Sequence, residues 1–143
     1  MRAKATAEGS GETQTDSGAE AQAERLFVAA LKLTDFRNYP SLRLSFQASP
    51  IVLVGDNGSG KTNLLEAVSL LAPGHGLRGR PYSELARKDG EGGFAIAATV
   101  VTRHGEADIG TGILRGTRDD GAGRTVRIAG KERSAGALGE FVF

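Results

Sequence analysis

The stretch IVLVGDNGSGKTNLLEAV, Ile51 to Val68, constrains this chain more than any other. Four apolar residues, Ile51 to Val54, lead into a glycine-rich run, and that run leads into a helical pattern. The short β-branched segment predicts a strand in a buried, central position. Beyond the glycines, Leu64, Leu65, Val68 and Leu71 recur at helical spacing, with Glu66 and Ser69 off that stripe. Pro73 and Gly74 then end the helix. A strand, a glycine turn and a helix in that order predict an α/β fold organised around the turn.

The run Gly55-Asp56-Asn57-Gly58-Ser59-Gly60-Lys61-Thr62 fits the phosphate-binding loop pattern: Gly, four residues, then Gly-Lys-Thr. Each part has a chemical reason. Gly55, Gly58 and Gly60 let the backbone curl until successive N–H groups point into one hollow. The helix that follows adds its N-terminal amides and the positive end of its dipole. Lys61 is placed to reach the β and γ phosphates of a triphosphate, and the Thr62 hydroxyl to take one position on Mg²⁺. The chain has 21 glycines, so the bare pattern arises by chance at about the per-cent level. The strand before it and the helix after it make it specific. The bland alternative is a glycine-rich turn with a surface lysine. The motif alone names a nucleoside triphosphate with Mg²⁺ and assigns no catalytic residue.

Around this motif the chain divides in two. Residues 1–25 are rich in Ala, Gly, Ser, Glu and Thr and carry no large apolar side chain after Met1. Such a segment cannot offset its ordering entropy, and a disordered N-terminal extension is expected there. Residues 26–143 form the ordered part. LFVAALKL and LRLSF, flanking TDFRNYPS, predict a strand–loop–strand pair, because Asp35, Asn38, Pro40 and Ser41 favour turns. A helical turn is expected over Ser83–Arg87. FAIAATVVT, DIGTGILR and RTVRIAG predict three strands joined as antiparallel hairpins, and Ser134 is placed to cap a last helix through Leu138 to Phe141. The net charge of +1 points to no strongly charged partner, and the lack of cysteine excludes disulfides and fits a reducing cytoplasm. No apolar run is long enough to span a membrane, and no secretory signal is visible.

FRNY at Phe36–Tyr39, GDNGSGKTNLLEA at Gly55–Ala67 and GHGLR at Gly74–Arg78 together resemble the start of the RecF family, ABC-type ATPases of the SMC kind. The resemblance covers roughly Leu26 to Phe143 and is weakest after Arg87. It implies a P-loop NTPase fold, the N-terminal part of an ABC-type ATPase lobe with flanking antiparallel strands. It also implies cytoplasmic, ATP-dependent DNA binding in DNA repair, replication restart and the DNA-damage (SOS) response. The partners implied are single-strand/duplex DNA junctions, the RecO and RecR proteins, and a second copy that sandwiches ATP. Gly55 to Thr62 would hold ATP, Thr62 would hold Mg²⁺, and Arg37 or Asn38 would lie near the nucleotide unless they are ordinary loop residues.

The family is a weak ATPase, and its members are more than twice this length. Its signature serine-glycine motif and its apolar strand ending in Asp are not found here, so the chain reads as a first third that carries half of an ATP site. Two other readings stay open. One is another P-loop enzyme such as a small nucleotide kinase; the other is a module that binds nucleotide without turnover. Arg78, Arg80, Arg87 and Lys88 form a basic stretch that could meet DNA phosphates, with Tyr82 able to stack on a base, but Glu84, Asp89 and Glu91 sit among them. A solvated loop is the simpler account of these residues. His75 and His104 have no metal-like spacing with other ligands.

Overall fold

Period-two alternation of apolar residues builds the larger part of this molecule. The computed structural model describes residues 2–5, 26–116 and 123–142. Its strands are β1 (Arg2–Ala5), β2 (Phe27–Phe36), β3 (Tyr39–Ser45), β4 (Ile51–Val54), β5 (Phe94–Thr102), β6 (Gly105–Ile113), β7 (Thr125–Ile128) and β8 (Lys131–Arg133). Its α-helices are α1 (Lys61–Ser69) and α2 (Leu138–Val142). Six strands form one antiparallel sheet in the order β3-β2-β5-β6-β7-β8. The register lines up one apolar face: Leu33 lies opposite Ile96, Ile96 opposite Thr111, and Thr111 opposite Val126. Leu31, Ala98, Ile109 and Ile128 make the next row across the same face. All eight are buried.

Helix α1 contributes Leu64 and Ala67 to the same core and the turn after it Leu70 and Leu71, joined by Tyr82, Leu85 and Leu138. Arg124 ties the end of the helix to the sheet. Its guanidinium donates to the carbonyls of Leu70 and Ala72 and to Thr111 Oγ1, satisfying acceptors that the helix terminus leaves open. Burial lowers the Arg124 pKa.

Four expectations need correction, and a fifth falls mostly outside the described residues. The stretch TDFRNYPS is mostly strand: β2 and β3 pair up to Phe36 and Tyr39, and only Arg37 and Asn38 turn. Pro40 is tolerated because β3 is an edge strand, where a missing N–H costs no ladder bond. Strand β4 forms where expected but is not buried. Among the described residues it pairs only with β1, in a separate two-stranded sheet, and Val52 and Val54 are 56% and 62% exposed. The stripe of α1 is also rotated from the expected one: Glu66 is buried, while Leu65 and Val68 are exposed. Ser134 precedes a 3₁₀ turn at Ala135–Ala137 but makes no side-chain cap. Of the segment expected to be a disordered extension, residues 6–25 lie outside the described residues, and Arg2–Ala5 is strand β1.

Candidate functional site

The glycine run occupies the turn between β4 and α1, as its residues require. Gly58 and Gly60 have φ of 84° and 98°, in the left-handed region open to glycine. Gly60 is also the N-cap of α1, and its carbonyl accepts the Leu64 N–H at 3.0 Å. A Cβ at Gly60 would stand 2.5 Å from the Tyr39 hydroxyl and 2.7 Å from Asn38 Nδ2, so no other residue fits. Upstream, the Ser59 N–H bonds the Asp56 carbonyl at 3.1 Å and closes the turn. Lys61 Nζ donates to the Gly55 carbonyl and, at 2.8 Å, to that of Asp56, so its ammonium spans the loop. Ser59 Oγ is buried without a hydrogen-bond partner.

A cavity of about 260 Å³ opens at the start of the helix, lined by Asn57, Gly58, Gly60, Lys61, Thr62, Asn63 and Arg78. Five of the eight residues read as the loop motif therefore face it, and Gly55, Asp56 and Ser59 shape the turn behind. Asn63 and Arg78 are additions. Arg78 sits in the basic stretch considered for DNA, but the fold brings it back over the loop, 4.0 Å from the Glu66 carboxylate. Its proximity depends on the path of the segment after Pro73, which no local pattern encodes.

Two other arginines of that stretch have carboxylate partners of their own. Arg80 pairs with Glu84 at 3.5 Å, and Arg87 pairs with Asp35 at 2.9 Å. Tyr82 cannot stack on a base: it is buried, its ring is stacked on His75 at 5.2 Å, and its hydroxyl donates to the Gly74 carbonyl at 3.2 Å. His104 is on the exposed β5–β6 turn, and no group of His, Cys, Asp or Glu suited to a metal exists among the described residues.

Arg37 and Asn38 do not line the cavity. Arg37 Nε and Nη2 form a bidentate pair with buried Glu66 at 2.9 and 3.1 Å, and Nη1 donates to the Glu84 carbonyl at 3.0 Å. Asn38 Oδ1 accepts from Asn63 Nδ2 at 2.9 Å. Tyr39, which ends the FRNY motif but was given no role of its own, donates its hydroxyl to the Gly60 carbonyl at 3.0 Å, and burial raises its pKa. Its position directly after the turn, opposite Phe36, was the available signal.

A strand, a left-handed glycine loop capped by lysine, and a helix, packed against an antiparallel sheet, define a P-loop NTPase fold. The family described as "AAA domain, putative AbiEii toxin, Type IV TA system" matches residues 51–129, over half of the chain, and the chain belongs to that family. Among curated proteins it is similar to the DNA replication and repair protein RecF. It is 50% identical to that of Mesorhizobium japonicum over 72% of this chain and 27% of the relative. It is 48% identical to that of Brucella suis over 83% of this chain and 30% of the relative. The chain thus spans less than a third of the length of these relatives. Among solved structures, the recombination mediator protein RecF-ATPrS of the RecFOR pathway superposes with a TM-score of 0.65 and 26% identity, over 80% of this chain and 30% of that one. An SMC ATPase, from work on ATP-driven dimerization and DNA stimulated activation, superposes with a TM-score of 0.63 at 18% identity, over 80% of this chain and 76% of that one, a likeness of fold. No helix among the described residues is long and apolar enough to cross a membrane.

Proposed function

We propose that this chain is the ATP-binding part of a RecF-like protein that binds DNA in an ATP-dependent way during recombinational repair and replication restart. The similarity to RecF and the RecF-ATP structures support it. The observation that carries it is the left-handed Gly60 at the head of α1, placed beside Lys61 and Thr62 on one cavity. A triphosphate suits this donor set. Ser59 Oγ, in the turn behind the cavity, is a buried hydroxyl without a hydrogen-bond partner. Gly55 to Thr62 would hold the phosphates, with backbone amides and the helix dipole facing their charge. Lys61 exchanges its loop carbonyls for phosphate oxygens, and Arg78 adds a second cation from across the cavity. Thr62, exposed at the second residue of the helix, offers its hydroxyl to Mg²⁺, which when bound neutralises charge between phosphate oxygens.

The partners that follow are DNA junctions, the RecO and RecR proteins, and a second copy across the nucleotide, in a cytoplasmic protein of the DNA-damage response. In the basic stretch, Arg80 and Arg87 are paired with Glu84 and Asp35, and a DNA phosphate would have to displace those carboxylates. The test is nucleotide-linked stability. MgATP at a hundred times its dissociation constant is expected to add about 2.7 kcal/mol to the stability of the chain. Lys61→Ala is expected to abolish most of that gain without changing the fold, because Lys61 bonds loop carbonyls and no core residue. A folded Lys61→Ala variant with an undiminished MgATP shift overturns the reading.

A further inference from the structure

The tip of the β2–β3 hairpin touches α1 and its N-cap through Arg37, Asn38 and Tyr39; the middle contact is the bond from Asn63 to Asn38, and the outer two define its span. Arg37 grips the Glu66 carboxylate, and Tyr39 holds the Gly60 carbonyl. These points are six residues apart along the helix, roughly 9 Å of rise. The grip is built at some cost. Arg37 has a φ of 52°, a left-handed conformation that a non-glycine residue adopts only when its surroundings hold it there. They do so through four hydrogen bonds: three from the guanidinium, and one from the Arg37 N–H to the Leu85 carbonyl at 2.8 Å.

What the Tyr39 contact controls follows from peptide planarity. The Gly60 carbonyl and the Lys61 N–H belong to one rigid peptide unit and point in opposite directions. Tyr39 Oη and the Leu64 N–H both donate to that oxygen, each at 3.0 Å. Fixing the oxygen toward the helix body aims the Lys61 N–H the other way, toward the loop. Hydrogen bonds to the carbonyl also polarise the unit and make its N–H a stronger donor. We infer that Arg37, Asn38 and Tyr39 form a positioning element for the phosphate loop, with the buried Tyr39 hydroxyl as the positioning group that sets triphosphate affinity through the Gly60–Lys61 peptide. This rests on the reading of the loop as a triphosphate site.

Tyr39→Phe tests it on the whole chain by two measurements. The first needs no nucleotide. Hydrogen exchange of the Leu64 amide, which shares the Gly60 carbonyl, is expected to rise about two- to tenfold, and that of Ser59 to rise with it. The Leu70 amide, bonded to the Glu66 carbonyl at 3.3 Å, reports the far end of the helix and is expected to keep its rate. A merely structural role would raise all three alike. The second measurement is the MgATP dissociation constant well below the melting temperature, expected to rise about two- to tenfold. Tyr82→Phe is the matched control: it deletes a similar hydroxyl–carbonyl bond, to Gly74, away from the loop, and is expected to leave the constant unchanged. Asn38→Ala, at an exposed contact, is expected to shift both readouts in the same sense by a smaller factor, and stands in if the phenylalanine variant does not fold. Unchanged Leu64 exchange, or uniform exchange along the helix, overturns the inference whatever the chain binds. Selective exchange with an unchanged dissociation constant overturns the link to affinity. Selective exchange in a chain that binds no MgATP at all confirms the positioning element and refutes the triphosphate reading instead.

Discussion

Strands β4 and β5 are built from the same kinds of residue, and they end up in opposite surroundings. In β5, Phe94, Ile96, Ala98 and Val100 are buried on one face, and the strand has a neighbour on each side. In β4, Val52 and Val54 are exposed, Leu53 alone packs toward the core, and β1 is the only paired neighbour among the described residues. An apolar, β-branched run therefore specifies strand conformation, while burial is conferred by the elements that pair with it and cover it. The functional loop hangs from the poorly covered strand. Its geometry is held from the other side, by a hairpin tip rooted in the well-covered sheet.

That contrast predicts unequal costs. Phe36 lies at the end of β2, is fully buried, and meets Phe94 edge to face with ring centroids 5.3 Å apart. Phe36→Ala is expected to cost about 3–5 kcal/mol by urea or thermal unfolding. A cost near that of a surface substitution would mean the sheet is not the stable part of the molecule.

Next in size is the link between sheet and helix. Arg37→Ala leaves Glu66, 1% exposed, with only the Arg78 guanidinium at 4.0 Å. Stranding a buried carboxylate is expected to cost about 3 kcal/mol. Arg37→Ala with Glu66→Leu is expected to recover much of that loss, because the uncompensated charge goes with the carboxylate. If the double variant is no more stable than Arg37→Ala, the pair acts through packing and the charge argument fails.

These same residues mark how far the sequence could be read. The loop motif, the strand before it, the helix after it and the antiparallel hairpins downstream were legible because each is encoded by local spacing. The phase of α1 was not. Leu65 and Val68 look like core residues by hydropathy, and Glu66 looks like surface, but the helix rotates to bring Glu66 onto Arg37, twenty-nine residues away in sequence. Hydropathy patterns treat a carboxylate as solvated and carry no information about a partner supplied by another hairpin. Pairing likewise hid the state of β4, and turn-forming residues hid the strand character of Asp35 and Pro40. The cavity lining was legible between Asn57 and Thr62, where all but Ser59 face the cavity. It was illegible at Arg78 and at the Tyr39 support, where tertiary folding assembles it.

The smallest expected effect sharpens the comparison from the exposed side. Val52→Lys places a charge on β4 at a position 56% exposed, away from the core cluster and from the cavity. Its effect on unfolding stability is expected to stay within about 0.5 kcal/mol. An effect on association should be easier to see. A short apolar strand with exposed valines invites pairing with another chain, and a lysine on such a strand opposes that pairing by charge and desolvation. Light scattering across a concentration series is therefore expected to show less self-association for Val52→Lys than for the parent, at nearly equal melting temperature. The equivalent substitution in β5, Ala98→Lys, buries the charge against Leu31 and Ile109 and is expected to unfold the chain. Should Val52→Lys prove as damaging as Ala98→Lys, β4 would be buried in solution, and the contrast between the two strands would fall.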